Sequence, residues 1–368
     1  MKYVDEFRDP ALARTLLARI RARSTRPVRL MEFCGGHTHA IMRYGLRTLL
    51  PPTVDLRSGP GCPVCVTANA DLDRAIALAR VPDLILTTFG DMVRVPGSNQ
   101  SLQDAKAEGA DVRMVYSTLD ALKVARDAIA RDYTARPVVF LGVGFETTAP
   151  TVAAAILQAQ AEGLENFSVL SLHKLTPPAT RAILDEGEVA LSGIIGPGHV
   201  TTIIGSDAWA FLPADYDVPV AVAGFEPLDI LCAVADLVDM VEDGHPAVAN
   251  TYARSVTPQG NPAALGVIDR VFEVSAADWR GLGVVPASGL SIRPEFAQFD
   301  AALRFEVDPG PTREHKGCRC GDVLRGTITP PQCPLFDRAC TPVRPIGPCM
   351  VSAEGACAAY YQFGRDLP

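Results

Sequence analysis

No stretch of this 368-residue chain approaches the roughly 20 consecutive apolar residues that cross a bilayer. The N-terminus, MKYVDEFRDPALARTLLARIRARS, also lacks the apolar core of a secretory signal. With Asp5, Glu6 and Asp9 placed early, it reads as a short amphipathic helix. A basic excess is missing too. Acidic residues number 42 against 34 basic ones, giving a net charge of −8 and a pI near 5.3. That balance excludes the positive face required by nucleic acid or an anionic membrane. Together these absences predict a cytoplasmic protein with no nucleic-acid or membrane partner. At 48% apolar and 21% charged the composition is that of a globular protein, and the length predicts two or three domains.

Cysteine, by contrast, is plentiful, with ten residues. Structural disulfides are rare in the cytoplasm, so this abundance points to metal or redox chemistry.

The middle of the chain alternates short, wholly apolar runs with helical patterns. One series is VRLMEF (28–33), VDLRSG (54–59), DLILTTFG (83–90) and DVRMVYS (111–117). A second is PVVFLGVG (137–144), NFSVLSLH (166–173), LSGIIGPG (191–198) and VPVAVAGF (218–225). Apolar runs separated by helices predict parallel strands covered on both faces. The two series rhyme, RSGPGCPVC with IIGPGHVTT, and EFCGGHTHA with GVGFETTAP. The expected fold is therefore α/β, with two similar doubly wound parallel-sheet domains. Domain 1 is expected over 1–133, including an N-terminal helical arm over 1–25. Domain 2 is expected over 134–255, and a smaller cysteine-rich domain over 256–368.

That last segment holds six cysteines, Cys318, Cys320, Cys333, Cys340, Cys349 and Cys357, among prolines and glycines too numerous for a core of their own. It lacks the paired C-x-x-C knuckles that zinc prefers. A [4Fe–4S] cluster tolerates such uneven spacing and is the favoured reading. Four ligands must come from six cysteines, and the spacing does not choose them.

Cys34-Gly35-Gly36-His37-Thr38-His39 follows the strand VRLMEF, at the carboxyl edge where α/β sheets bind ligands. One thiolate and two imidazoles suit a borderline-soft metal such as Fe(II) or Zn(II). GPGCPVC (59–65) ends the next strand. Its Cys62–Cys65 pair reads as a redox dithiol at a helix start, in preference to half of a zinc site. GVGFETTAP lacks the third glycine of a dinucleotide fingerprint, and its Glu146 either faces the same cleft or caps a helix. Cys232 reads as core, and His199 as a secondary candidate.

CGGHTH, GPGCPVC, GFETTAP and the terminal GPCMVSAEGACAAYY together resemble the HypD family of hydrogenase maturation proteins, from about Met31 to Tyr361. The resemblance implies an assembly scaffold for the Fe(CN)2CO group of [NiFe] hydrogenases. It implies a HypC-type chaperone as partner, a HypE-type donor carrying cyanide as a thiocyanate, and a monomer outside that complex. By motif, Cys34 holds a transient Fe(II) carrying CN and CO ligands, with His37 as the imidazole helper. Cys62 and Cys65 are the redox pair. The cluster ligands fall on Cys320, Cys333, Cys340 and Cys357, with Cys318 as substitute for Cys320 and Cys349 spare. Such a protein is a redox-active scaffold rather than a conventional turnover enzyme. Two rival readings stand beside it: a stand-alone iron–sulfur oxidoreductase acting on a small molecule, and a zinc-stapled binding module.

Overall fold

The computed structural model describes residues 5–132 and 135–364. Its strands in chain order are β1 (Val28–Glu32), β2 (Val54–Ser58), β3 (Ile85–Thr88), β4 (Asp111–Met114), β5 (Val138–Gly144), β6 (Phe167–His173), β7 (Gly193–Pro197), β8 (Val220–Ala223), β9 (Val248–Asn250), β10 (Phe272–Trp279) and β11 (Gly283–Ile292). The fold is α/β with parallel sheets, as the apolar runs predict. One sheet has five strands in the order β2-β1-β7-β8-β9, and another has four in the order β4-β3-β5-β6.

The strands sort into sheets differently from the chain-order expectation. β1 pairs with β2 on one side and β7 on the other. The first two strands of the first series thus share a sheet with the end of the second series and with β9, which the apolar runs had not revealed. β3 pairs with both β4 and β5, so the four-stranded sheet crosses the expected division between 1–133 and 134–255. Residues 133 and 134 themselves lie outside the described residues. The physical reason is insertion. The four-stranded unit enters the chain between β2 and β7, and an uninterrupted βα rhythm carries no mark of where one sheet stops.

Numbered within itself, the five-stranded sheet runs 2-1-3-4-5. That order reverses between β1 and β7, and a doubly wound sheet opens its ligand crevice at such a reversal, outside the strands' carboxyl ends. Cys34 follows β1 and His199 follows β7, so both motifs reach this crevice.

Residues 256–364 do not build a separate core. Helix Pro262–Val271 and the β10–β11 hairpin cover the four-stranded sheet, with Phe272, Leu290, Ile292, Phe296 and Phe299 sharing a core with Phe140, Ile156 and Val169. VIDRVFEVS spans the end of that helix and the start of β10. Further on, Cys320, Cys340, Cys349 and Cys357 join Met31, Phe33, Ile194 and Val222 in a core built on the five-stranded sheet. A Pro- and Gly-rich segment with few large side chains gains burial only by borrowing a finished sheet, at roughly 1.5–3 kcal/mol per large apolar side chain.

The N-terminal helix Pro10–Arg23 is capped by Asp9 and buries Leu17 and Ile20 against Leu231, Val234 and Val238 of helix Pro227–Asp243. Arg19 and Arg23 pair with Asp236, Asp239 and Asp243 along the contact. Cys232 on the same long helix is half-buried beside Asp236 and Arg19, at the rim of the core instead of inside it. Among the described residues no helix is long and apolar enough to cross a membrane.

Candidate active site at the cysteine crevice

Cys34 ends β1 and caps helix Gly35–Arg43. Its backbone N–H donates to Glu32 Oε2 at 2.9 Å, and Thr38 Oγ1 donates to Glu32 Oε1, so the buried carboxylate pins the turn. The thiol makes no side-chain cap hydrogen bond, but the nearby backbone N–H groups of Gly36 and His37, the first donors of the helix, act to lower its pKa. Burial nevertheless pushes the Cys34 thiol up to about 12, helped by the nearby carboxylates of Glu354 and Glu32. Burial also lifts Glu32 to about 8. Burial thus keeps protons on both the Cys34 thiol and Glu32, and a metal ion bound at the thiol would displace the thiol's proton.

His37 is fully buried. Its Nε2 lies 3.0 Å from the Gly224 carbonyl and 3.2 Å from that of Ala223, so Nε2 carries the proton and donates. Its Nδ1 then holds a free lone pair with no hydrogen-bond partner. Burial holds the ring neutral, with its pKa lowered to about 4. This is how a metal-ligating imidazole is oriented: the far nitrogen is fixed by a carbonyl and the near one is left open. His37 stacks on Phe225 at 4.8 Å, and the exposed His199 stacks on Phe225's other side at 3.8 Å. His39 is separated from this group. Two residues along the helix from His37, it meets Phe363 edge-on at 5.0 Å. The two imidazoles of the CGGHTH motif thus part, His37 toward Phe225 and His39 toward Phe363.

GPGCPVC sits directly against this turn. Gly35 N–H donates to the Gly61 carbonyl at 2.9 Å, and Gly59 N–H to the Glu32 carbonyl at 2.9 Å. A Cβ on Gly61 would lie 2.2 Å from Cys34 N and 2.5 Å from Cys34 Cα. Glycine is therefore the only residue that lets the dithiol loop approach Cys34 this closely. Cys62 caps the short helix Pro63–Val66, its Sγ accepting the Cys65 N–H at 3.3 Å. The two thiols diverge. Burial and its partner Cys65 push Cys62 well up. Burial also acts to raise Cys65, but hydrogen bonds from Cys349 and Cys62 and the Arg280 guanidinium lower it to about 5. Cys65 is thus the thiolate of the pair, and the helix-capping Cys62 keeps its proton.

All ten cysteines are free thiols. The six C-terminal ones line a single cavity with Val323, Leu335, Phe336 and Met350. Cys320 Sγ and Cys349 Sγ are 2.9 Å apart, and Cys349 also bonds Cys357 and Cys65. A run of sulfurs therefore leads from the C-terminal cavity to the C-x-x-C pair. Contact between Cys320 and Cys349 means that the two do not both ligate one cluster, whose inorganic core holds thiolates on separate irons apart. Cys318, Cys333, Cys340 and Cys357 are the four that leave this pair intact, whereas the motif match takes Cys320 as a ligand and leaves Cys318 and Cys349 as spares. The one signal available earlier was the surplus of two cysteines. Among the described residues no three or more His, Cys, Asp or Glu side chains are already arranged as a metal site.

Glu354 was missed altogether. A Cβ on Gly35 would meet Glu354 Cβ at 2.5 Å, and its charge is felt at Cys34, Cys62 and Cys65. Glu146 goes the other way. Buried after β5, it accepts from Thr176 N at 2.7 Å and from Thr176 Oγ1 at 3.2 Å. It ties the start of helix Thr176–Glu186 and bonds no cysteine or histidine of the crevice. His173 and Lys174 are also buried, with Lys174 Nζ donating to the Asp278 carbonyl at 2.6 Å.

Burial raises Glu146 from 4.5 to about 7. A raised folded-state pKa contributes stability below the unfolded value, and this is lost as pH rises through the folded one. Wild-type stability is expected to fall relative to Glu146→Gln between pH 5 and 8, by on the order of 3 kcal/mol. Denaturant melts of both proteins across that window test this. A constant difference would mean that Glu146 does not titrate there.

A family profile, HypD, described as "Hydrogenase formation hypA family", matches residues 11–364. A protein of Azotobacter vinelandii named Hydrogenase maturation factor HypD is 53% identical over 375 residues, covering 100% of this chain and 98% of that one. Its namesake in Escherichia coli (strain K12) is 44% identical over 374 residues, covering 100% and 99%. A protein of Azotobacter chroococcum mcd 1, named Hydrogenase expression/formation protein HupD, is 53% identical over 375 residues, covering 100% and 98%.

Proposed function

The chain belongs to the HypD family of hydrogenase maturation factors, and from that premise we propose that it is the scaffold on which, with a HypC-type chaperone, the Fe(CN)2CO group of a [NiFe] hydrogenase is assembled. The iron is cargo in this reading. The observation that carries it is the buried His37, whose Nδ1 is left without a partner on the short helix that Cys34 precedes. A soft thiolate and a neutral imidazole suit low-spin Fe(II). Iron binding displaces the Cys34 proton, which the crevice's negative charge opposes losing in any other way.

Cyanide arrives as a thiocyanate on a HypE-type donor. Releasing it takes two electrons: the S–CN bond breaks, the donor sulfur leaves as a thiol, and cyanide passes to the iron. Cys62 and Cys65 supply both electrons by closing to a disulfide, and the one proton the pair holds, on Cys62, goes to the donor thiolate. Cys65, already ionised, is the attacking sulfur, and Cys62 gives up its proton as the disulfide forms. A [4Fe–4S] cluster, when bound by Cys318, Cys333, Cys340 and Cys357, supplies the one-electron chemistry that reopens such a disulfide. The adjoining Cys320–Cys349 pair lies between those cysteines and Cys65. The reading carries with it a cytoplasmic location and a monomer outside the maturation complex.

Cys62→Ala tests the dithiol's part. Protein isolated anaerobically with its chaperone partner is expected to lose the infrared bands of iron-bound cyanide. Intact bands would remove Cys62 and Cys65 from the mechanism.

A further inference from the structure

The chain is acidic, yet residues 311–346, which bring in four of the six C-terminal cysteines, carry six Arg or Lys against three Asp or Glu. Arg319 and Arg325 pair with Asp322. Arg313, Lys316 and Arg344 are exposed, and no ion pair of theirs is found among the described residues. They gather on one side. Arg313 lines a cavity of about 270 Å³ with Cys318, Cys320, Ile346 and the 96–98 loop. The same loop lines the neighbouring hollow with Arg344 and Val343. Lys316 stands two residues before Cys318, and Arg94 binds the Pro342 carbonyl and so holds the 341–346 turn to this face. In that hollow, beside Arg94 and Arg344, Val343 is a large apolar side chain 92% exposed.

We propose that this face, with Arg313, Lys316, Arg344 and Val343, is the docking surface for an acidic one-electron carrier protein that reduces the cysteine-bound centre beneath it. The proposal rests on the iron–sulfur reading above. An electron source must approach that centre, and Cys318, the most exposed of the proposed ligands, opens into the Arg313 cavity. Unpaired cations on an otherwise acidic protein steer a negatively charged partner to this face and away from the rest. One exposed apolar side chain among charged ones gives a short-lived complex, suited to a carrier that must leave after each delivery. Each encounter oxidises one carrier by one electron. Two encounters and one proton from solvent return the Cys62–Cys65 disulfide to a thiol and a thiolate.

The probe is a plant-type [2Fe–2S] ferredoxin, an acidic one-electron donor, mixed with the anaerobically purified full chain. Stopped-flow reduction by the reduced ferredoxin is expected to slow at least tenfold between 20 and 300 mM salt. In Arg313→Glu/Lys316→Glu/Arg344→Glu it is expected to slow roughly 10- to 100-fold at low salt. Binding of oxidised ferredoxin, read by biolayer interferometry, should weaken in parallel. Val343→Asp leaves the cations in place and should weaken binding with its salt dependence retained. Dithionite, which needs no docking, should bleach wild type and variants alike. Equal ferredoxin rates in wild type and the triple variant, with dithionite bleaching both, would overturn the docking face alone. If dithionite bleached neither protein, the cluster reading would fail and the docking proposal with it. Binding of RNA to this face as tightly as ferredoxin would also overturn it.

Discussion

Cys34→Ala is expected to yield a folded chain that supports no hydrogenase maturation, with hydrogenase activity at background in cells that depend on it. The two halves of that outcome have separate physical causes. Cys34 stands at the N-cap of a nine-residue helix without a side-chain cap hydrogen bond, so removing its sulfur forfeits only the burial of a small group, about 1 kcal/mol. The surrounding turn keeps Glu32, Thr38 and the Gly35–Gly61 bond, and the melting temperature should drop by only a few degrees. Function, in contrast, loses the thiol proposed to hold the iron with His37. Cys34→Ser keeps a side chain of similar size but not a soft ligand, so it should stay folded without regaining maturation. If Cys34→Ser matured hydrogenase as wild type does, iron would have to be held elsewhere.

Gly61→Val should be the most disruptive single change in the crevice outside the cysteines. The added Cβ would meet three backbone atoms, Cys34 N at 2.2 Å, Phe33 C at 2.4 Å and Cys34 Cα at 2.5 Å. Backbone cannot swing aside as a side chain can, so the GPGCPVC loop must lift off β1. That movement breaks the Gly35–Gly61 hydrogen bond and separates the dithiol from Cys34. The expected cost is about 1–3 kcal/mol, a fall of roughly 1–4 °C in melting temperature, together with loss of maturation. Gly90→Ala is the control. Its new Cβ meets only Met114 Sδ at 3.8 Å and should change neither quantity. A Gly61→Val protein with wild-type melting and wild-type maturation would mean that the two motifs need not touch.

The α/β class and both crevice motifs were legible because they depend on local signals. Wholly apolar runs give buried parallel strands, and glycine-flanked Cys and His at strand ends give ligand-facing turns. Sheet membership was not legible. VDLRSG and DLILTTFG look alike in sequence, yet β2 belongs to the five-stranded sheet and β3 to the four-stranded one. That choice is made by contacts between residues far apart, such as Leu30 with Gly193. The same limit explains the site. His37 and His39 look equivalent until helix geometry turns one toward Gly224 and the other toward Phe363. Cys318 and Cys320 are equally near in sequence to the rest of the cluster segment, and only the contact of Cys320 with Cys349 separates them. Glu354 carries no motif signal of its own toward Cys34. It reaches Gly35 because the C-terminal segment folds back over β1.

The central claim is that the C-terminal cysteines hold an iron–sulfur cluster beside a dithiol, with Cys318 and not Cys320 among its four ligands. The most direct measurement is iron and acid-labile sulfide per chain, with an absorption spectrum, on anaerobically purified wild type, Cys318→Ser and Cys320→Ser. The account predicts about four of each, with a broad brown absorbance, in wild type and Cys320→Ser, and loss of both in Cys318→Ser. Stoichiometric zinc with no sulfide in wild type would contradict the cluster, and a cluster kept in Cys318→Ser but lost in Cys320→Ser would contradict the ligand set.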